Sequence, residues 1–349
     1  MTTRVTVVRP RDLGTSDAQL WAAFQRRSAE MQSPFLSLDF ASAVGEERSS
    51  ARVAIVEIDG RIEAFLAYER TPTRIGWPIG WPMNDLQGFV GSGAPFDARE
   101  VVRSAGLRGW RFDHALAAIA ELAPHQYKGS TVDCPVADLS DGYDRYLASR
   151  PRSLRRESGR TRRNLEHDDG PVSFEWRSTS RAEFDNLIRW KSGKYTGTRE
   201  LFRDSSAHRI VERLAFAEGA DCSGVLSVLS AGGRTVAVDL KLQGPSGVSG
   251  WLGGYDPAFA RYAPGTLVLL AVAEHVAAHG LGRLDLGYGQ HLYKFRLGNT
   301  SYRVAGGAVW VSPTEALARA AFRRVARRGR AAPLGHEVVV DGSSVVTAP

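Results

Sequence analysis

The chain has 349 residues, of which 43% are hydrophobic and 24% charged, ordinary globular proportions that exclude a wholly disordered or fibrous protein. The length suggests about two domains. The net charge of +7 comes from two patches, seven arginines against Glu157 between Arg150 and Arg163 and six arginines with no acid between Arg319 and Arg330, on an otherwise mildly acidic body, which excludes a nucleic-acid coat over the whole surface.

In chain order, the spacing of Leu20, Trp21 and Phe24 predicts a first helix. Val53 to Tyr68 then reads as two β-rich runs joined by Asp59-Gly60, a hairpin signal. A Pro-fixed loop from Gly76 to Asp85 carries Trp77 and Trp81, whose indole faces, beside a hydrogen-bonding carboxylate at Asp85, suit a sugar ring or simple packing. Asp113 to Leu122 is expected as a helix and Ser130 to Cys134 as a strand. The arginine-rich stretch follows as a connector. Phe184, Leu187 and Ile188 then mark a second helix, ending at Trp190, Lys191, Lys194 and Tyr195, and Val225 to Leu242 repeats the hairpin around Gly232-Gly233. On its second strand Asp239 shares a face with Ala237 and Lys241, opposite Val236, Val238, Leu240 and Leu242.

Tyr262 to Thr266 leads into an apolar helix, Leu267 to His279, and then a strand, Arg283 to Leu286. Pro264-Gly265 suits a tight helix start, where unpaired amide groups favour an anion. Asp285, Tyr288, His291, Tyr293 and Lys294 form the densest polar cluster in the chain, and His291 is its one group with an ordinary pKa near neutrality. Beyond it, Arg319 to Arg330 has helical spacing with interleaved apolar residues, fitting a solvated face or an anionic membrane surface. The order helix, hairpin, strand, helix, strand thus occurs twice. It predicts an α/β (α+β) chain of two tandem domains, each a mixed sheet flanked by helices. The expected divisions are 1–149, a connector at 150–170, a second domain at 171–312, and a basic helix and tail at 313–349.

This duplicated order, with Ser33-Pro34-Phe35-Leu36, Asn84-Asp85, Ala263-Pro264-Gly265-Thr266 and Leu284-Asp285-Leu286-Gly287-Tyr288-Gly289 running into Tyr293-Lys294-Phe295-Arg296, resembles the tandem GNAT acyltransferase fold of FemABX-like proteins. Within it the chain looks most like the CelD/BcsL (BioF2-like) acetyltransferase group. Two positions depart from the family pattern. Gln290 follows Gly289 where an acid is usual, and Pro264 interrupts the pyrophosphate signature that begins at Arg261.

The resemblance implies an N-acyltransferase using acetyl-CoA or another acyl-CoA as co-substrate, without metal, acting on an amino sugar or carrier-linked sugar in exopolysaccharide or cell-envelope biosynthesis. CoA binding would fall to Arg261, Ala263, Pro264, Gly265 and Thr266. Asp239 or Asp285 would serve as base, Tyr293 as proton donor to the thiolate, Lys294 as carbonyl or phosphate stabiliser, with His291 adjacent. Trp77, Trp81, Asp85, Trp190, Lys194 and Tyr195 would border the acceptor.

Cys134 and Cys222 make no disulfide or zinc pattern, residues 1–10 lack the apolar core of a signal peptide, and no apolar run approaches the ~20 residues of a membrane span. A cytoplasmic protein is therefore expected, with peripheral contact at the inner membrane face through Arg319–Arg330. Two alternatives compete with the leading reading. One is a FemABX-like transferase drawing an aminoacyl group from tRNA held by Arg150–Arg163, and the other a non-catalytic binding factor with the same fold. No P-loop, dinucleotide fingerprint or serine-nucleophile elbow occurs.

Overall fold

The computed structural model describes residues 2–117, 131–289 and 291–312. Its first half comprises β1 (Thr3–Val8), α1 (Thr15–Gln25), α2 (Leu38–Glu47), β2 (Ala51–Ile58), β3 (Arg61–Arg70), β4 (Ile75–Pro78), β5 (Phe89–Gly91), α3 (Ala98–Ser104), β6 (Gly109–Leu116) and β7 (Thr131–Asp138). After α4 (Tyr143–Ser149) and α5 (Arg152–Asp169) come β8 (Val172–Glu175), α6 (Arg181–Lys194), α7 (Thr196–Leu201), α8 (Ser205–Ala215), β9 (Ser223–Ala231), β10 (Arg234–Gly244), β11 (Gly247–Tyr255), α9 (Pro264–Ala278), β12 (Arg283–Asp285), α10 (Leu292–Leu297) and β13 (Thr300–Trp310).

The two hairpins form where their turn residues place them. Asp59 and Gly60 both take positive φ, 48° and 82°, and Gly232 and Gly233 take 54° and 77°. This is the left-handed pair that matches the twist of two antiparallel strands. Around each hairpin the pairing repeats. The series β1-β2-β3-β4 is antiparallel throughout and β4 then pairs parallel with β6. Likewise β8-β9-β10-β11 is antiparallel and β11 pairs parallel with β12.

The last strand of each repeat crosses into the other half, giving the order β1-β2-β3-β4-β6-β13-β7-β12-β11-β10-β9-β8. Because β13 and β7 also pair with each other, from Thr300↔Val136 to Ala305↔Thr131, the two mixed sheets join into one continuous sheet. Separate sheets were expected, and the exchange is invisible to local pattern because it depends on contacts more than 140 residues apart in sequence. Helices cover both faces. Trp21, Phe40, Phe184 and Leu214, from α1, α2, α6 and α8, share a core that spans both halves. On the opposite face α3 covers the first half, and α9 with α5 the second.

One element differs from its sequence-based expectation. Residues 113–116 belong to strand β6, and the helix of the first repeat is α3. The strand signal is the period-2 alternation of buried Trp110, Phe112 and His114 with exposed Asp113 and partly exposed Arg111. Residues 118–122 and the basic segment Arg319–Arg330 lie outside the described residues.

Candidate active site at the fork between β11 and β12

β11 and β12 pair over only three residues, Gly247↔Arg283, Val248↔Leu284 and Ser249↔Asp285. β12 then stops, while β11 runs on to Tyr255 with its other edge held by β10. Beyond Ser249 the β12-side edge of β11 pairs with no strand among the described residues, so the sheet forks. Glycines make the fork possible. The chain leaves β12 through Gly287 and Gly289, at φ 74° and 129°, and a Cβ on Gly250 would meet the Asp285 carbonyl oxygen at 3.1 Å.

Four ionisable side chains gather at this fork. On β10, Asp239 and Lys241 are 5% and 1% exposed and form a buried ion pair with each other. Both point to the α9 face, as the strand alternation predicts, while Val238, Leu240 and Leu242 enter the core under α6 and α8. Val236 departs from that alternation because a bulge between Thr235 and Ala237 turns it toward Phe259 and Tyr262. Lys294, on α10, is 8% exposed and donates to the carbonyl oxygens of Gly287 at 3.2 Å and Tyr288 at 2.5 Å. Burial lowers its pKa.

Asp85 arrives from the other half of the molecule. A Cβ on Gly287 would lie 2.7 Å from Asp85 Oδ2 and 3.7 Å from Lys294 Nζ, so carboxylate and ammonium flank the same glycine. The loop that presents Asp85 is held firmly. Trp251 of β11 donates to the Met83 carbonyl at 2.7 Å, Gln87 donates to Asn84 and Asp113 at 3.1 and 2.5 Å, and Gly80 N–H donates to Glu69 at 3.0 Å. Burial pushes the Asp85 carboxyl up to about 6, against the attraction of Lys294 and His114.

Asp285 is used within the protein. It is 5% exposed, its Oδ1 accepts from Gly287 N–H at 2.9 Å and its Oδ2 from the Tyr302 hydroxyl at 2.8 Å, and burial raises its pKa. This carboxyl ties the turn after β12 to the exchanged strand β13. Tyr293 is 43% exposed. Protein packed around its hydroxyl, with Asp239, Tyr195 and Asp85 nearby, raises its pKa and keeps the phenol protonated. His291 caps α10. Loss of hydration lowers its pKa, and Lys294, Lys191 and Lys194 lower it further.

Other sequence candidates fall around this centre. Trp190, Lys194 and Tyr195 close the C-terminal end of α6, where a Cβ on Gly254 of β11 would come within 3.3 Å of Trp190 Cβ. Lys194 donates to the Tyr255 hydroxyl at 3.0 Å. Trp77 and Trp81 pack against each other with ring centres 4.4 Å apart and planes tilted by 34°, Arg111 covers Trp77 at 4.2 Å, and Trp81 donates to Asp113 at 3.0 Å. The pair occupies much of its own aromatic surface.

At the start of α9, Ala263 adopts a left-handed φ of 48°, Pro264 opens the helix, and space around Gly265 is open. Thr266 and Leu267 N–H groups turn back to the Ala263 carbonyl at 2.9 and 3.3 Å. The Gly265 N–H bonds no described residue, and Pro264 has none to give, so the amide cradle is smaller than a glycine there would make it. Arg261 is 68% exposed and ion-paired to Asp168 at 3.2 Å. A phosphate at this loop would find one free amide, the helix end and an arginine drawn from that pair.

The sequence did not single out Lys241 or Tyr302, whereas Lys191 stands with Trp190, Lys194 and Tyr195 in the segment expected to border the acceptor. Lys241 was findable, two residues from Asp239 on the same strand face. Lys191 sits one helical turn before Lys194. Among the described residues no cluster of three or more His, Cys, Asp or Glu side chains could hold a metal, and no helix is long and apolar enough to cross a membrane.

Residues 152–295 match the family model described as Acetyltransferase (GNAT) domain. Solved structures with this architecture include FemX, at 13% identity and TM-score 0.57, covering 92% of this chain and 99% of that one. A tandem GNAT protein from the clavulanic acid biosynthesis pathway matches at 14% identity and TM-score 0.52, covering 89% and 99%. The C-terminal domain of a putative lysylphosphatidylglycerol synthetase from Agrobacterium fabrum matches at 13% identity and TM-score 0.53, covering 89% and 96%. No match is found among the curated proteins. The chain therefore has the GNAT acyltransferase fold in tandem, and the matched segment contains the fork.

Proposed function

We propose that the chain is an N-acyltransferase that takes an acyl group from acyl-CoA. The thioester lies in the fork between β11 and β12, and the CoA diphosphate lies at Arg261 and Ala263–Thr266. The observation that carries this reading is the fork itself, with a carboxylate tuned to about 6 at its edge. A base is most effective when its pKa lies near the working pH, and Asp85 meets that condition while both oxygens of Asp285 are engaged and Asp239 is locked to Lys241.

In the reaction, the acceptor nitrogen attacks the thioester carbonyl carbon and forms the C–N bond. Asp85 takes the ammonium proton. Collapse of the tetrahedral intermediate breaks the C–S bond, and the departing thiolate takes a proton from Tyr293, which water then restores. Lys294, fixed by two carbonyls beside Gly287, supplies positive potential to the oxyanion. An amino sugar or carrier-linked sugar of envelope or exopolysaccharide synthesis, as in the CelD/BcsL group, is the acceptor class to test first, with Asp113 and the exposed edges of Trp77 and Trp81 nearby.

Calorimetric titration with acetyl-CoA, followed by thiol release with amino-sugar acceptors, tests this reading. Micromolar binding and acceptor-dependent release are expected, and no heat with no thermal shift would overturn it. A second reading, transfer from aminoacyl-tRNA, has its own observation. Six arginines of α5 are exposed, and of these only Arg162 is ion-paired among the described residues. Such binding would weaken steeply with salt, with a slope set by the phosphates neutralised. Salt-insensitive transfer from acetyl-CoA excludes it.

A further inference from the structure

At the far end of the fork, two ammonium groups share one aromatic ring. Lys191 and Lys194, in the last turn of α6, lie 4.8 and 5.6 Å from the centre of the Tyr195 ring, and Lys194 also lies 4.9 Å from the Tyr255 ring centre. Tyr255 is the last residue of β11, so the cluster sits where its free edge ends. Among the described residues the one lysine ion pair is Lys241 with Asp239, and Lys191 donates no hydrogen bond. Lys191 is nevertheless partly buried. Loss of hydration, together with Lys294 and Lys194, lowers its pKa to about 8 against the more distant attraction of Asp239 and Asp85, neither of which bonds it.

A desolvated ammonium without an acceptor is costly. The negative end of α6 offsets some of its charge but leaves its three N–H donors unused. A bound oxyanion supplies what is missing. The position also separates this cluster from the CoA loop, since α6 packs on the face of the sheet opposite α9. Resting on the acyltransferase reading, we propose that Lys191 and Lys194 form an anion subsite for the acceptor, which therefore carries a phosphate or carboxylate near its reacting amine. The Tyr195 and Tyr255 rings frame the site.

Titrating inorganic phosphate and acetate separately into the protein saturated with CoA tests this, because CoA then fills the loop at α9. At least one titrant is expected to bind. The double variant K191Q/K194Q is expected to lose at least tenfold in that affinity while binding CoA as before, and K191R/K194R to retain it. Tighter phosphate binding marks a phosphorylated acceptor, tighter acetate binding a carboxylate. Absence of binding by both anions, or equal binding by K191Q/K194Q, overturns the subsite. If CoA itself fails to bind, the acyltransferase reading falls, and the same titrations on the free protein still decide whether the lysines hold an anion.

Discussion

Replacing Asp85 by Asn removes a charge that the folded protein holds at a cost, so activity and stability should move in opposite directions. The carboxyl titrates near 6 in the fold against an ordinary 3.8, and each pKa unit is worth about 1.4 kcal/mol. The folded state binds this proton more tightly than the unfolded chain does. The cost is therefore absent below pH ~4, grows as pH rises through the interval to 6, and is complete above it. Asp85→Asn should accordingly stabilise the protein by ~1–3 kcal/mol at pH 7.5, a few degrees in Tm, and by nothing at pH 4. The same change should lower kcat/KM by about 10²–10⁴, the usual contribution of a general base, and erase an acid limb near pH 6 in the rate profile. Thermal melts at the two pH values and thiol-release kinetics across pH 5–9 measure both. A variant that is less stable at pH 7.5, or that keeps the limb near 6, would refute the assignment.

Other substitutions probe the surroundings. Lys241→Met leaves Asp239 charged and unpaired in the interior and should cost about 3–5 kcal/mol by denaturant unfolding, whereas Lys241→Met with Asp239→Leu should recover most of it. Tyr302→Phe leaves Asp285 Oδ2 without its donor and should cost about 1–3 kcal/mol, with the loss shrinking at lower pH as the carboxyl protonates. Gly287→Ala forces a side chain into a left-handed backbone and against Asp85. It should cost at least about 1–2 kcal/mol, with a drop in kcat/KM exceeding that of Gly233→Ala.

Local chemistry made the hairpins legible, because Asp59-Gly60 and Gly232-Gly233 specify left-handed turns whatever surrounds them. The helix α9 was legible from its Pro264 start and its apolar run. The duplication followed from the order of these elements. β6 was misread because the apolar run around Phe112 and Ala115 fits either period until the burial of Trp110 and His114 is known. The exchange of β7 and β13 has no local signature at all.

At the site, Asp239 and Lys294 fall at the fork, the first picked out in the sequence by strand alternation and the second by its place in the polar cluster after β12. Asp85 was grouped with the tryptophan loop, since that this loop reaches the other half is revealed only by contacts distant in sequence, Trp251 with Met83 and Asp85 with Gly287. Whether a carboxylate such as Asp285 is available depends on bonds from residues as distant as Tyr302, which a linear pattern does not carry.

The central claim is that the free edge of β11 and the first turn of α9 receive acyl-CoA. Hydrogen exchange with and without acetyl-CoA reads this directly. The account predicts added protection confined to residues 250–255 and 263–267, with none in the corresponding β4 and α3 of the first repeat. Protection of β4 and α3 instead, or no change anywhere at saturating acetyl-CoA, would contradict it.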